Sequence, residues 1–189
     1  MYVALTGYMG TGKGAIAKKL ETLGYRYISL SDMIREEADK RGVEHSRGNL
    51  QDIGNELRNT HGPGVFGLRV REKIEGEEGA LFGTGKWIID GVRNPSEATE
   101  IKRIPNSKLL AVTASLPTIT ERIRSRKRPG EENITKEEVF ERLKKESGVG
   151  EDETGQQVQK CLDVSEFLII NEGSLEELDK KLDLFVKST

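Results

Sequence analysis

Cysteine is nearly absent from the 189-residue chain, with Cys161 the one example. A single thiol excludes an internal disulfide and a multi-cysteine zinc site, and it suits a reducing cytoplasm. The two histidines, His45 and His61, stand in no metal-ligand spacing with another His or Cys, so surface roles are expected for both. Net charge is scarce too. Thirty Lys+Arg against thirty-two Asp+Glu leave −2, which gives no reason to expect nucleic acid or an anionic membrane as the main partner. Apolar runs such as Phe167–Ile170 fall far below the ~20 residues of a membrane span. The opening MYVALTG has neither a basic region nor an extended apolar segment, which predicts no secretory signal and a cytoplasmic setting. No Ser-His-Asp or paired-carboxylate arrangement is suggested. What the chain does have is charge of both signs, 33% of residues, and 21 glycines that cluster.

Five short apolar runs rich in β-branched or aromatic residues predict buried strands: Tyr2–Thr6, Tyr25–Ser29, Trp87–Asp90, Leu109–Thr113 and Phe167–Ile170. Helical patterns lie between them. Ile16, Leu20 and Leu23 share one face, and Gly24 ends that pattern. Asn94-Pro95 with Glu97 reads as a helix start. Thr135 with Glu138, and Ser174 with Glu177, read as capping boxes. The last helix is expected to bury Leu175, Leu178, Leu182 and Phe185. Strands alternating with helices predict an α/β fold with a mainly parallel sheet. Two long charged stretches interrupt the alternation, and their helix signals favour functional inserts over linkers.

Gly7-Tyr8-Met9-Gly10-Thr11-Gly12-Lys13-Gly14 follows a strand and opens a helix. Phosphate binding needs these residue types. Glycines let consecutive N–H groups turn inward, the helix N-terminus adds partial positive charge, and Lys13 reaches the β/γ-phosphates. Gly stands where a Ser or Thr is usual, and Ala15 follows it. Neither can ligate Mg²⁺, so the metal is expected to be held by phosphates and water, with acidic residues behind the water.

On these residues the chain resembles P-loop nucleotide kinases of the adenylate-kinase type, whose loop also carries Gly-Lys-Gly, though with Thr where this chain has Ala15. Ser31-Asp32-Met33-Ile34-Arg35 resembles the family's Gly-Asp-Met-Leu-Arg, whose arginine grips the acceptor phosphate. Asp90-Gly91-Val92-Arg93 resembles Asp-Gly-Phe-Pro-Arg, shorter by one residue and without the proline. There the aspartate faces the Mg²⁺ shell and the arginine contacts phosphate. Glu121-Arg122 through Arg126 resembles the Asp-Arg-Ile-x-x-Arg that begins the lid, and Val139 through Arg142-Leu143 resembles the motif that returns a lid arginine to the site. Ile170-Asn171-Glu172-Gly173-Ser174 is similar to the C-terminal strand–turn–helix of dephospho-CoA kinases, a turn that borders the adenine in related kinases.

The resemblance implies a P-loop three-layer α/β sandwich with a parallel five-stranded sheet, in one domain. Its core would be 1–30, 78–123 and 162–189, with an acceptor-binding insert over 31–77 and a lid over 124–161. It implies ATP and Mg²⁺ as cofactors and a monomer acting on small nucleotides. Gly7, Gly10, Thr11, Gly12, Lys13, Gly14, Ala15, Asn171 and Gly173 would hold ATP. Ser31, Asp32, Arg35, Arg58 and Arg93 would bind the acceptor. Lys13, Arg93, Arg122, Arg126, Arg128 and Arg142 would neutralise the transferring group, and Asp90 and Asp32 would face the metal through water.

Alternatives stand beside several of these. The basic run Arg122–Arg128 also suits a solvated helix face or, without interleaved aromatics, a nucleic-acid patch. Asp32 and Asp90 also suit a cap and a strand end. Arg58, His61 and Gly62-Pro63-Gly64 either contact the acceptor or organise the insert. The expected reaction is γ-phosphoryl transfer from ATP to a nucleoside monophosphate, which depends on position and charge rather than a covalent intermediate. A dephospho-CoA-like hydroxyl acceptor, with Asp32 as base, is the first alternative. An accessory ATPase or nucleotide switch is the second, although the Asn-Lys-x-Asp of guanine-specific switches is absent.

Overall fold

A computed structural model describes residues 1–126, 131 and 133–189, apart from the side chain of Arg47. Five parallel strands form one sheet: β1 (Tyr2–Thr6), β2 (Arg26–Ser29), β3 (Trp87–Val92), β4 (Ser107–Thr113) and β5 (Phe167–Ile170), in the order β2-β3-β1-β4-β5. All five expected runs are strands. β1 lies at the centre and is buried throughout, because a strand covered on both faces carries no polar alternation.

The pleat sends alternate β1 side chains into two cores. Tyr2 and Ala4 join Ile89 and Leu109 beneath α4 (Val65–Glu78), α5 (Pro95–Ile101) and α8 (Val158–Asp163). Val3 and Leu5 join Ile88, Leu110 and Val112 beneath α1 (Lys13–Thr22) and α9 (Leu175–Ser188). The result is a three-layer sandwich. A smaller apolar cluster, Ile119, Ile123, Ile134 and Val139, joins α6 (Leu116–Ser125) to α7 (Lys136–Ser147) beside Met9 of the loop.

Local chemistry sets the helix boundaries. The Asn94/Glu97, Thr135/Glu138 and Ser174/Glu177 capping boxes are all formed. On α9, Leu178, Leu182 and Phe185 are buried, whereas Leu175 is 69% exposed. Helical side chains lean toward the N-terminus, so that of the first residue overhangs the end of the packed stripe.

The 31–77 stretch is helical as expected: α2 (Leu30–Lys40), α3 (Arg47–His61) and most of α4. It shares the sheet's core, since Phe66, Val70 and Ile74 of α4 are fully buried there. Gly67 lets the α4 backbone lie directly on that of Glu97 in α5. The 124–161 stretch contains α7 and ends inside α8, whose Cys161 is fully buried against the sheet. Among the described residues, no helix is long and apolar enough to cross a membrane.

Candidate functional site

The Gly7–Gly14 loop leaves the C-terminal end of β1 and enters α1 at Lys13. Gly7, Gly10 and Gly12 take φ of 139°, 76° and 105°, a backbone region that side-chain-bearing residues rarely adopt. Gly12 caps α1 with no side-chain acceptor, which leaves the helix's first N–H groups to the loop. A Cβ on Gly12 would also run into the Asn171 amide. That amide donates to Thr11 O at 2.8 Å, tying the turn after β5 to the phosphate loop. Arg122 braces the same turn, donating to Asn171 O at 2.8 Å and Gly173 O at 3.2 Å. The Lys13 ammonium donates to Gly7 O at 2.7 Å and Tyr8 O at 2.9 Å. Burial lowers its pKa; the nearby Asp90 and Glu146 charges push it back up, and Arg93 and Arg126 push it down. Charges of both signs therefore converge on the loop lysine.

Asp90 lies two residues before the end of β3, where the β1–β3 register slips and leaves Gly91 (φ 90°) unpaired with β1. Its Oδ2 accepts from the Tyr27 hydroxyl at 2.9 Å. Burial and the Asp90 charge raise the Tyr27 pKa, so that phenol stays a donor. Among the described residues, Asp90 Oδ1 is buried with no hydrogen-bond partner. A buried carboxylate oxygen is normally satisfied, so an orphan beside the phosphate loop fits a hydrated cation. Gly14 and Ala15 offer no oxygen ligand beyond the backbone, and space around Gly14 is open. Asp90 thus suits Mg²⁺ held through water. Asp32 is more than half exposed and is ion-paired with Arg35.

A cavity of ≈ 420 Å³ opens beside the loop. Met9 is a wall shared with the phosphate loop. Arg35, Arg58, Arg93 and Arg126 supply positive charge, and Ile34, Leu50 and Gly54 supply an apolar side. Ser31 is also at the wall, as are His45, Gln51, Gln156, Glu131 and Glu146, which the sequence reading had not placed there. The arginines are held in different ways. Arg93 donates to Gln156 Oε1 at 2.8 Å, with Glu146 at 3.7 Å. Arg126 makes a bidentate pair with Glu131, both bonds 2.6 Å, and Arg142 approaches the same carboxylate at 3.6 Å. Arg58 is 3% exposed and paired with the fully buried Glu97 at 2.9 Å. Glu97 also accepts from the Arg93 and Asn94 amides, so this pair organises the β3–α5 turn.

Arg122 and Arg126, one helical turn apart, do not converge on one partner. Arg122 serves the turn after β5, and Arg126 faces the cavity. Arg128 lies outside the described residues. Glu146 and Glu131 carried no sequence signal, being acids within a densely charged stretch. Gln156 lay in a loop-like segment, which the Gln157 N–H bond to Arg93 O at 2.7 Å and the Asn94 amide's bond to Gly155 O at 2.9 Å bring to the site.

A family profile described as an AAA domain matches residues 6–141. The UPF0200 protein of Pyrococcus horikoshii is 31% identical, with 98% of this chain and 96% of that protein aligned. The chain belongs to the UPF0200 family. Its AAA domain spans the phosphate loop and most of the cavity wall. A second UPF0200 relative, from Pyrococcus abyssi, is 30% identical over 99% of this chain and 96% of its own length. Among solved structures, the shikimate kinase of Bacteroides thetaiotaomicron superposes with a TM-score of 0.55 at 16% identity, covering 99% of this chain and 98% of that one. A sugar kinase from Janibacter gives 0.53 at 15%, covering 98% and 94%. At these identities the likeness establishes the fold alone, the three-layer α/β architecture that this chain shares with those two structures.

Proposed function

We propose that this UPF0200 protein is an ATP-dependent phosphotransferase that moves the γ-phosphoryl group to a small phosphorylated acceptor, a nucleoside monophosphate. One observation carries the reading: a cavity with arginines and an apolar side shares the Met9 wall with the phosphate loop. Its volume suits a small ligand. Ile34, Leu50 and Gly54 would face a base, while Arg35 and Arg93 would hold the acceptor phosphate, whose oxygens match guanidinium forks.

In this reading the loop amides and Lys13 position ATP, and the turn at Asn171 and Gly173, braced by Arg122, borders its base. Bound Mg²⁺ would supply charge neutralisation at the β- and γ-phosphates, with Asp90 holding its water. Arg126 and Arg142 would close on the transferring group after leaving Glu131. A phosphate acceptor is already ionised and needs no general base. Asp32, the candidate base for a hydroxyl acceptor, is exposed, paired with Arg35 and outside the cavity lining, which favours a phosphate acceptor over a hydroxyl one.

The test is ADP formation with AMP, CMP, GMP, UMP, their deoxy forms and dephospho-CoA. Acceptor-dependent turnover with a monophosphate supports the proposal. Turnover with dephospho-CoA alone replaces it with hydroxyl transfer, and hydrolysis indifferent to every acceptor replaces it with an ATPase.

A further inference from the structure

The amide of Met9, in the phosphate loop, donates to Glu146 Oε2 at 2.9 Å. Glu146 belongs to the last turn of α7 and is only 4% exposed. Its other oxygen lies 3.7 Å from the Arg93 guanidinium, and its charge acts on Lys13. One carboxylate thus engages a loop N–H and an arginine of the facing strand end, close enough for its charge to be felt at the loop lysine. Those are the donors such a loop assembles for a phosphate. A buried carboxylate is stable only where donors compensate its lost hydration, and two of those here, the Met9 N–H and Arg93, belong to the site. The same stretch of chain repeats the arrangement, since Glu131 holds Arg126 by two hydrogen bonds and has the Arg142 guanidinium 3.6 Å away.

We propose that Glu146 is an internal anion that occupies the terminal-phosphate end of the loop in the nucleotide-free protein, and that ATP binds by displacing it together with α7. The inference rests on the phosphate-loop reading. Glu146 and a γ-phosphate cannot share these donors, because like charges a few ångströms apart repel strongly in a partly buried site. Arrival of a triphosphate is thereby coupled to movement of the helix that carries Arg142. A shorter polyphosphate competes less for the Met9 end and leaves the carboxylate seated.

Calorimetric titration with AMP-PNP and with ADP, each with Mg²⁺, tests this on the wild-type protein and on Glu146→Gln. The variant should bind AMP-PNP at least about tenfold tighter, the scale of one charge-assisted hydrogen bond regained, with a smaller gain for ADP. Equal or weaker AMP-PNP binding by the folded variant overturns the proposal while leaving the phosphate-loop reading intact. If neither protein binds AMP-PNP, the phosphate-loop reading fails and the proposal with it. Should Glu146→Gln not fold, Glu146→Asp keeps the charge but draws it back from Met9, and it carries the same expectation and the same refutation. The wild-type protein gives a third test by hydrogen exchange. Amides of α7 should exchange faster with AMP-PNP alone, and slower exchange overturns the proposal.

Discussion

Replacing Glu97 with Gln should cost far more than a surface change of the same size. The carboxylate is fully buried and binds the guanidinium of Arg58, itself 3% exposed, at 2.9 Å. Its other oxygen accepts from Arg93 N at 2.8 Å and Asn94 N at 3.1 Å. A glutamine offers one acceptor oxygen and turns an NH₂ group toward donors on the other side. The Arg58 charge is then left uncompensated. Breaking a buried pair in this way costs about 3–5 kcal/mol. Arg58→Met should fall near the lower end, because Glu97 keeps its two backbone donors. The double variant should cost less than the sum by more than about 1 kcal/mol, since the residues are directly coupled. Urea unfolding of the four proteins, at similar m-values, gives these differences. A Glu97→Gln protein within about 0.5 kcal/mol of wild type, where surface changes fall, or additive single effects, would refute the structural role assigned to Arg58. That role matters to the site because the same carboxylate sets the backbone from which Arg93 reaches the cavity.

Lys13→Ala should leave urea stability close to wild type but weaken AMP-PNP binding by roughly tenfold or more, the value of a charge-assisted contact of about 1.5–3 kcal/mol; calorimetry reads this directly, and unchanged affinity removes Lys13 from nucleotide binding. Arg35→Lys should raise the KM for the acceptor with little change in ATP affinity, because an ammonium cannot reproduce a bidentate phosphate contact; a raised ATP Kd with an unchanged acceptor KM reverses the assignment of the two subsites. Cys161 is fully buried, and burial, followed by the Glu97 charge, pushes its thiol up to about 12. Thiol reagents at pH 8 should label it only after denaturation, and rapid labelling of the native protein would show that α8 opens readily from the sheet.

The strands were legible because each is a short β-branched or aromatic run bounded by polar or glycine-rich chain. Helix starts were legible where a cap and its reciprocal glutamate sit three residues apart, as at Asn94, Thr135 and Ser174. The loop Gly7–Gly14 was legible from its glycine spacing, its Lys13 and its place between a strand and a helix. The cavity was not. Its arginines come from α2, α3, the end of β3 and the end of α6, and only the folded chain shows which neighbour each one takes. Arg58 was open between contacting the acceptor and organising the insert, and only the fold shows that it both lines the cavity and pairs with buried Glu97. Arg122 and Arg126 share one lid-like motif in the sequence. The turn after β5 and the carboxylate of Glu131 instead draw them apart. Glu146 was invisible as one acid in Lys144-Lys145-Glu146, because long-range contact with Met9 has no local signature.

The central claim is acceptor-dependent phosphoryl transfer, and the most direct measurement is ADP release from Mg·ATP with and without each nucleoside monophosphate, run beside Lys13→Ala. The account predicts that at least one monophosphate raises ADP release well above the acceptor-free rate, that a diphosphate product accumulates in equal amount, and that Lys13→Ala abolishes both. ADP release that no monophosphate increases, or that appears with dephospho-CoA alone, would contradict it.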